Sequence, residues 1–180
     1  MSELRFDGKV VLITGAGRGV GRSHALSFAA RGARVVAVDP GVAVDGSGGS
    51  AGPAADVVAE IKAAGGEAVA SIESVTDEVG VARMIQSALD SFGRLDVVVN
   101  NAGINGPELF ENHTAEQFRR MCEVNYIGTV LVSHAAWKHF MHNGGGRIIN
   151  TASEGPLGIH EMMTAYGGPK GGVIGHTLAL

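Results

Sequence analysis

The stretch Thr14-Gly15-Ala16-Gly17-Arg18-Gly19-Val20-Gly21 follows the apolar run Lys9 to Ile13 and leads into a helical pattern. No other part of the chain restricts the fold so strongly. A strand that ends in several glycines and turns straight into a helix brings bare backbone up to a ligand. It also aims free N–H groups and the positive end of the helix dipole at that ligand. The spacing reads T-G-x-x-x-G-x-G and not the fingerprint G-x-G-x-x-G in its usual place. Taken alone, the cluster is either an anion-holding turn or an ordinary tight one.

The following elements alternate. Lys9 to Thr14 is a continuous apolar run, as expected for a parallel strand covered on both faces. The pattern predicts a helix over 19–31, a strand over 34–39, and a helix opened by Pro53 with Ala54, Val57, Val58 and Ile61 on one face. A short strand over 67–71 precedes an amphipathic helix capped by Thr76 and ending at Gly93. LDVVVN at 95–100 is the fourth strand, 114–142 is helical with a junction near Asn125, 147–151 is the fifth strand, and a helix begins at Met163. Five strand–helix units in series predict a doubly wound parallel sheet with helices on both faces, because each crossover must be right-handed. The 180 residues suit one domain, 1–180, and the polar, glycine-rich 40–52 reads as a flexible surface insert.

In such a sheet ligands bind at the carboxyl ends of the strands. Asp39 closes the second strand, where a carboxylate can accept both hydroxyls of an adenosine ribose and would repel a 2′-phosphate. That argues for NAD over NADP, although Arg18 inside the glycine turn pulls the other way. The cofactor contacts then fall on Gly15, Arg18, Gly19, Val20, Gly21 and Asp39. Asn100-Asn101-Ala102-Gly103 ends the fourth strand: two amides able to tie strand ends together, then two small residues that leave room for a flat ring. Read alone, it is equally a turn. Tyr166 and Lys170 stand at i and i+4, one above the other on a helix. A cation one turn away stabilises a phenolate and makes the group usable as an acid or base. Ser153 adds a hydroxyl at the same edge of the sheet.

The net charge of −4 gives no basic surplus for nucleic acid. No apolar run approaches the ~18 residues of a membrane span, and MSELRFDGK has no signal-like apolar core, so the expected compartment is the cytoplasm. Cys122 is the one cysteine and is expected as a small core residue. His139 and His142 lack a third ligand of suitable spacing, and no metal is expected.

TGAGRGVG at 14–21, NNAG at 100–103, Asn125 in EVNYIGT, Ser153 in NTAS and YGGPK at 166–170 together resemble the short-chain dehydrogenases/reductases in order and interval. The resemblance implies a Rossmann-type α/β/α fold and an NAD(H)-dependent oxidoreductase that interconverts a secondary alcohol and a ketone. It makes Tyr166 the general acid/base, with Lys170 lowering its pKa and holding the nicotinamide ribose. Ser153 would orient the substrate oxygen, Asn125 would anchor a proton-relay water, and Asn101, Ala102 and Gly103 would contact the cofactor. Ser74 stands where the family commonly places an acid near adenine. The family's last strands and substrate lid would lie beyond Leu180, which leaves a non-catalytic dinucleotide-binding module, or an NADP-dependent reductase, as alternatives. The insert and AADVVAEIKAAGGEAVA are similar to the hydroxyacyl-CoA dehydrogenase subgroup, implying an acyl-CoA-like substrate, and the loop 154–164 with His160, Met162 and Met163 would face it. The resemblance also implies a homodimer or homotetramer.

Overall fold

The structure, a computed structural model, describes residues 4–43, 45–48, 52–158 and 161–180. His160 and residues 44 and 49–51 of the insert lie outside the described residues. Strands β1 (Val10–Thr14), β2 (Arg34–Val38), β3 (Glu67–Ser71), β4 (Val97–Asn100) and β5 (Arg147–Asn150) form one parallel sheet in the order β3-β2-β1-β4-β5. Helices α1 (Gly19–Ala30), α2 (Gly52–Ala63), α3 (Glu78–Phe92), α4 (Ala115–Cys122), α5 (Gly128–His142) and α6 (Thr164–Ala179) follow the strands. This is the Rossmann-like arrangement, and its order reverses at β1, next to β4.

Side chains alternate across a strand, so a run apolar at every position must be buried on both faces. That is what β1 shows. Val10 and Leu12 join Val36, Val98, Met84 and Val132 beneath α3 and α5, while Val11 and Ile13 join Val35, Val57, Ile61 and Val99 beneath α1 and α2. These four β1 side chains are fully buried.

Several local expectations shift. Asp77, not Thr76, caps α3: its Oδ1 accepts from the Val79 amide at 3.1 Å, and the Thr76 hydroxyl pairs with that of Ser74. The fourth strand begins at Val97, because the Asp96 carboxylate is drawn to the Val10 amide and to Lys9 and Arg94. The junction near Asn125 is a π-helical turn, Glu123–Ile127, between α4 and α5. Cys122 is exposed, contrary to its expected place in the core. Phe118, Met121 and Asn125, at i, i+3 and i+7, take the inner face of that segment and turn the thiol outward.

Candidate active site and cofactor cleft

The strand ends converge because β1 and β4 are neighbours. The Thr14 hydroxyl accepts from the amides of Asn101 at 3.1 Å and Ala102 at 3.0 Å. The Asn101 side-chain amide donates to the carbonyls of Thr14 and Gly15, both at 3.2 Å. The glycine turn is thereby pressed against the end of β4, and its glycines are needed for space. A methyl group at Gly15 would lie 2.9 Å from Ala102 Cα, and one at Gly17 would lie 2.7 Å from Asp39 Oδ2. Gly19, at φ +52°, faces open space. No side chain caps α1, and no acid stands in its first turn. Its N-terminal amides are therefore left to an anion.

Asp39 is buried, with Oδ2 accepting from the Gly17 amide at 2.8 Å and Oδ1 from the Gly41 amide at 2.7 Å. Each oxygen keeps a second lone pair for a ribose hydroxyl. Beside it runs a cavity of about 710 Å³, within the size range of small-molecule sites. Its walls include Gly15, Arg18, Gly19, Asp39, Ser74, Val75, Asn101, Ala102, Gly103 and Ile104. Val20 is exposed on the first turn of α1 and does not line it, and Gly21 is buried beneath the turn. The glycine cradle, the uncapped helix end and the acid fit a dinucleotide.

Ser153, Tyr166 and Lys170 do not line this cavity. They gather around β5, on the other side of the turn 100–103. The Thr151 amide donates to the Asn100 carbonyl at 2.9 Å, and the Lys170 ammonium donates to the Thr151 carbonyl at 2.7 Å. Lys170 is 3% exposed and its Nζ lies 5.8 Å from the centre of the Tyr166 ring. Ser153 Oγ accepts from the Gly155 amide at 3.1 Å, and a methyl group at Gly155 would lie 3.5 Å from both Ser153 Oγ and Tyr166 Cδ1. The hydroxyl and the phenol ring thus flank the same spot.

Asn125 is fully buried in the π-turn, and its side chain is spent on Ile104 and on Met121, whose Sδ accepts from its amide at 3.5 Å. It accepts from the Ile104 amide at 2.8 Å and donates to the Ile104 carbonyl at 2.9 Å. It braces the segment after Gly103, with its carbonyl accepting from the Thr129 hydroxyl at 3.3 Å. Thr14, which opens the glycine stretch, knits the turn to β4 by its hydroxyl, a role its local sequence did not signal, and Arg120 of α4, which carried no local signal at all, reaches the cavity wall. Among the described residues no group of three His, Cys, Asp or Glu side chains is placed to hold a metal, and no helix is long and apolar enough to cross a membrane.

Burial holds the Lys170 ammonium below its ordinary pKa of 10.5. Between the folded value and 10.5 the unfolded chain binds more protons, so stability rises with pH across that alkaline window. Urea unfolding at a series of pH values is expected to show this rise in the wild type and to lose it in Lys170→Met. Equal slopes for the two proteins would refute it.

The short chain dehydrogenase family model matches residues 9–180. The mouse peroxisomal multifunctional enzyme type 2 is 44% identical over 99% of this chain, which covers 24% of that protein. A peroxisomal hydratase-dehydrogenase-epimerase of Saccharomyces cerevisiae is 42% identical over 96% of this chain and 19% of its own length. Among solved structures, a short chain dehydrogenase from Mycobacterium avium is 45% identical with a TM-score of 0.87, over 96% of this chain and 62% of that one. A 7α-hydroxysteroid dehydrogenase complexed with NADH and 7-oxo glycochenodeoxycholic acid is 34% identical with a TM-score of 0.85, over 94% and 62%. The chain therefore spans less than two thirds of the length of each of these relatives.

Proposed function

The chain belongs to the short-chain dehydrogenase family, and on that premise we propose that it is an NAD(H)-dependent oxidoreductase that interconverts a secondary alcohol and a ketone, with Tyr166 as general acid/base. The observation that carries the reading is the buried Lys170 ammonium beside the Tyr166 ring, across the turn 100–103 from the cavity. A cation in a dry site favours the phenolate that proton abstraction needs.

Gly15, Arg18, Gly19 and the first turn of α1, with Val20 and Gly21, would hold the pyrophosphate. Asp39 would take the adenosine ribose, and Asn101, Ala102 and Gly103 would border the path to the nicotinamide. When bound, the cofactor supplies the hydride-accepting centre. The Ser153 hydroxyl, whose oxygen accepts from Gly155, keeps its hydrogen for the substrate oxygen. Tyr166 Oη takes the hydroxyl proton of the alcohol, and Lys170 favours the phenolate and anchors the nicotinamide ribose. Asn125 cannot hold a water with its committed side chain, so a relay water would rest on its carbonyl. An acyl-CoA-like substrate is supported by the resemblance of the insert and by the multifunctional peroxisomal relatives. We also keep the cytoplasm and a homo-oligomer as proposals.

Steady-state kinetics with NAD and NADP over a panel of secondary alcohols tests the cofactor assignment. NAD is expected to have the higher kcat/KM by at least about tenfold, and Asp39→Asn to narrow that ratio by about tenfold, the size of one lost charge-assisted hydrogen bond. A clear NADP preference in the wild type would refute the role given to Asp39. Cofactor binding without turnover of any alcohol would favour a binding module instead.

A further inference from the structure

Pro40, Val42, Ala43 and Gly46 line the cavity, and two arginines that line it as well, Arg18 and Arg120, contact this segment. Arg18, in the glycine turn, donates from Nη1 to the Val42 carbonyl at 3.0 Å. The Arg120 guanidinium lies against Gly46. A methyl group there would sit 2.5 Å from Nη2 and 3.1 Å from both Cζ and Nε. Gly46 also has φ +84°, a conformation that disfavours a side chain there.

The segment keeps its own shape. The Gly46 amide donates to the Ala43 carbonyl, the Ala43 amide to the Ser47 carbonyl, and the Ser47 amide to Asp45 Oδ1, each at 2.8 Å. The Asp45 carboxyl is held below the ordinary range chiefly by its hydrogen bond from Ser47, with the charge of Arg120 adding to the effect. Among the described residues the Arg120 guanidinium makes no hydrogen bond and no ion pair within 4 Å, although it lines the same cavity as Asp39, Ser74 and Val75. It covers Gly46 and places its charge near the Asp45 carboxylate.

We propose that this segment is a strap over the adenosine end of the cofactor cavity, and that Arg120 is the positioning residue that keeps it shut and sets how long the dinucleotide stays bound. The inference rests on the dinucleotide reading of the cavity. A ligand seated between Asp39 and Ser74 leaves past Val42, Ala43 and Gly46, which line the cavity with it. That exit requires the guanidinium to part from Gly46. Losing one such contact acts mainly on dissociation, by about fivefold.

The test is stopped-flow displacement of bound NADH, read by its fluorescence, from the wild type, Arg120→Gln and Arg120→Lys. Dissociation is expected to be about fivefold faster in Arg120→Gln, with Arg120→Lys in between because it keeps the charge and loses the flat face. The association rate should stay within about twofold. Hydrogen exchange on the ligand-free proteins gives a second readout, in which the amides of Gly46 and Ser47 exchange faster in Arg120→Gln. Unchanged dissociation together with unchanged exchange would overturn the strap and leave the cofactor site standing. A wild type that holds neither NADH nor NADPH would overturn both. A loss confined to NADPH would assign Arg120 to the 2′-phosphate and overturn the strap.

Discussion

Tyr166→Phe is expected to lower kcat by about 10²- to 10⁴-fold or more, the range that positioned acid–base groups contribute, while NADH binding and stability stay close to wild type. The structure makes the experiment clean. Among the described residues the Tyr166 hydroxyl makes no hydrogen bond, so removing that oxygen leaves no buried partner unpaired. The ring remains, and with it the contact to Lys170 and the packing near Gly155. Single-turnover absorbance of NADH and a thermal unfolding curve on the same sample would separate chemistry from folding. A phenylalanine variant that turns over at the wild-type rate would remove Tyr166 from the mechanism.

Gly21→Ala is the second large effect, and it is of a different kind. A methyl group at Gly21 collides with the Gly15 carbonyl oxygen and would stand 2.5 Å from Asn101 Nδ2. The first of these is backbone, which cannot rotate aside. Overpacking of this sort costs about 1–3 kcal/mol, and more where the neighbour is fixed. The Asn101 bridge to Thr14 and Gly15 is lost with it. Both the unfolding midpoint and NADH affinity are therefore expected to fall, the latter by more than about tenfold, since 1.4 kcal/mol is tenfold. Gly19→Ala provides the contrast. That position faces open space, and its φ of +52° costs an alanine only about 1–2 kcal/mol, so NADH binding should suffer more than the fold. A Gly21→Ala protein as stable and as tight for NADH as the wild type would show that the turn has room that this structure denies it.

The doubly wound sheet was legible because the patterns that specify it are local and repeat. The runs VVLI and VVAV are apolar at successive positions, which suits a strand covered on both faces and little else. Gly93 closed its helix where expected, in the left-handed conformation that ends α3. Boundaries were less legible. Whether Thr76 or Asp77 caps α3 depends on which side chain the Val79 amide meets, and both residue types are good caps. Cys122 was misplaced for a related reason: a free cysteine is by type most often buried, and here the helical phase of Phe118, Met121 and Asn125 overrode that preference.

From the sequence by itself came the class of the fold, the glycine turn after β1, the acid after β2 and the residues Ser153, Tyr166 and Lys170, because each announces itself in a short span. Only the tertiary structure decided how those spans are used. It showed the Asp39 carboxylate holding the Gly17 amide as well as facing the cavity, and the Asn125 side chain spent on Ile104. It also brought Arg120 against Gly46, 74 positions earlier in the chain. Hydrogen bonds and close contacts act over a few ångströms, and no local pattern records which distant residues a sheet of order β3-β2-β1-β4-β5 will bring within that reach.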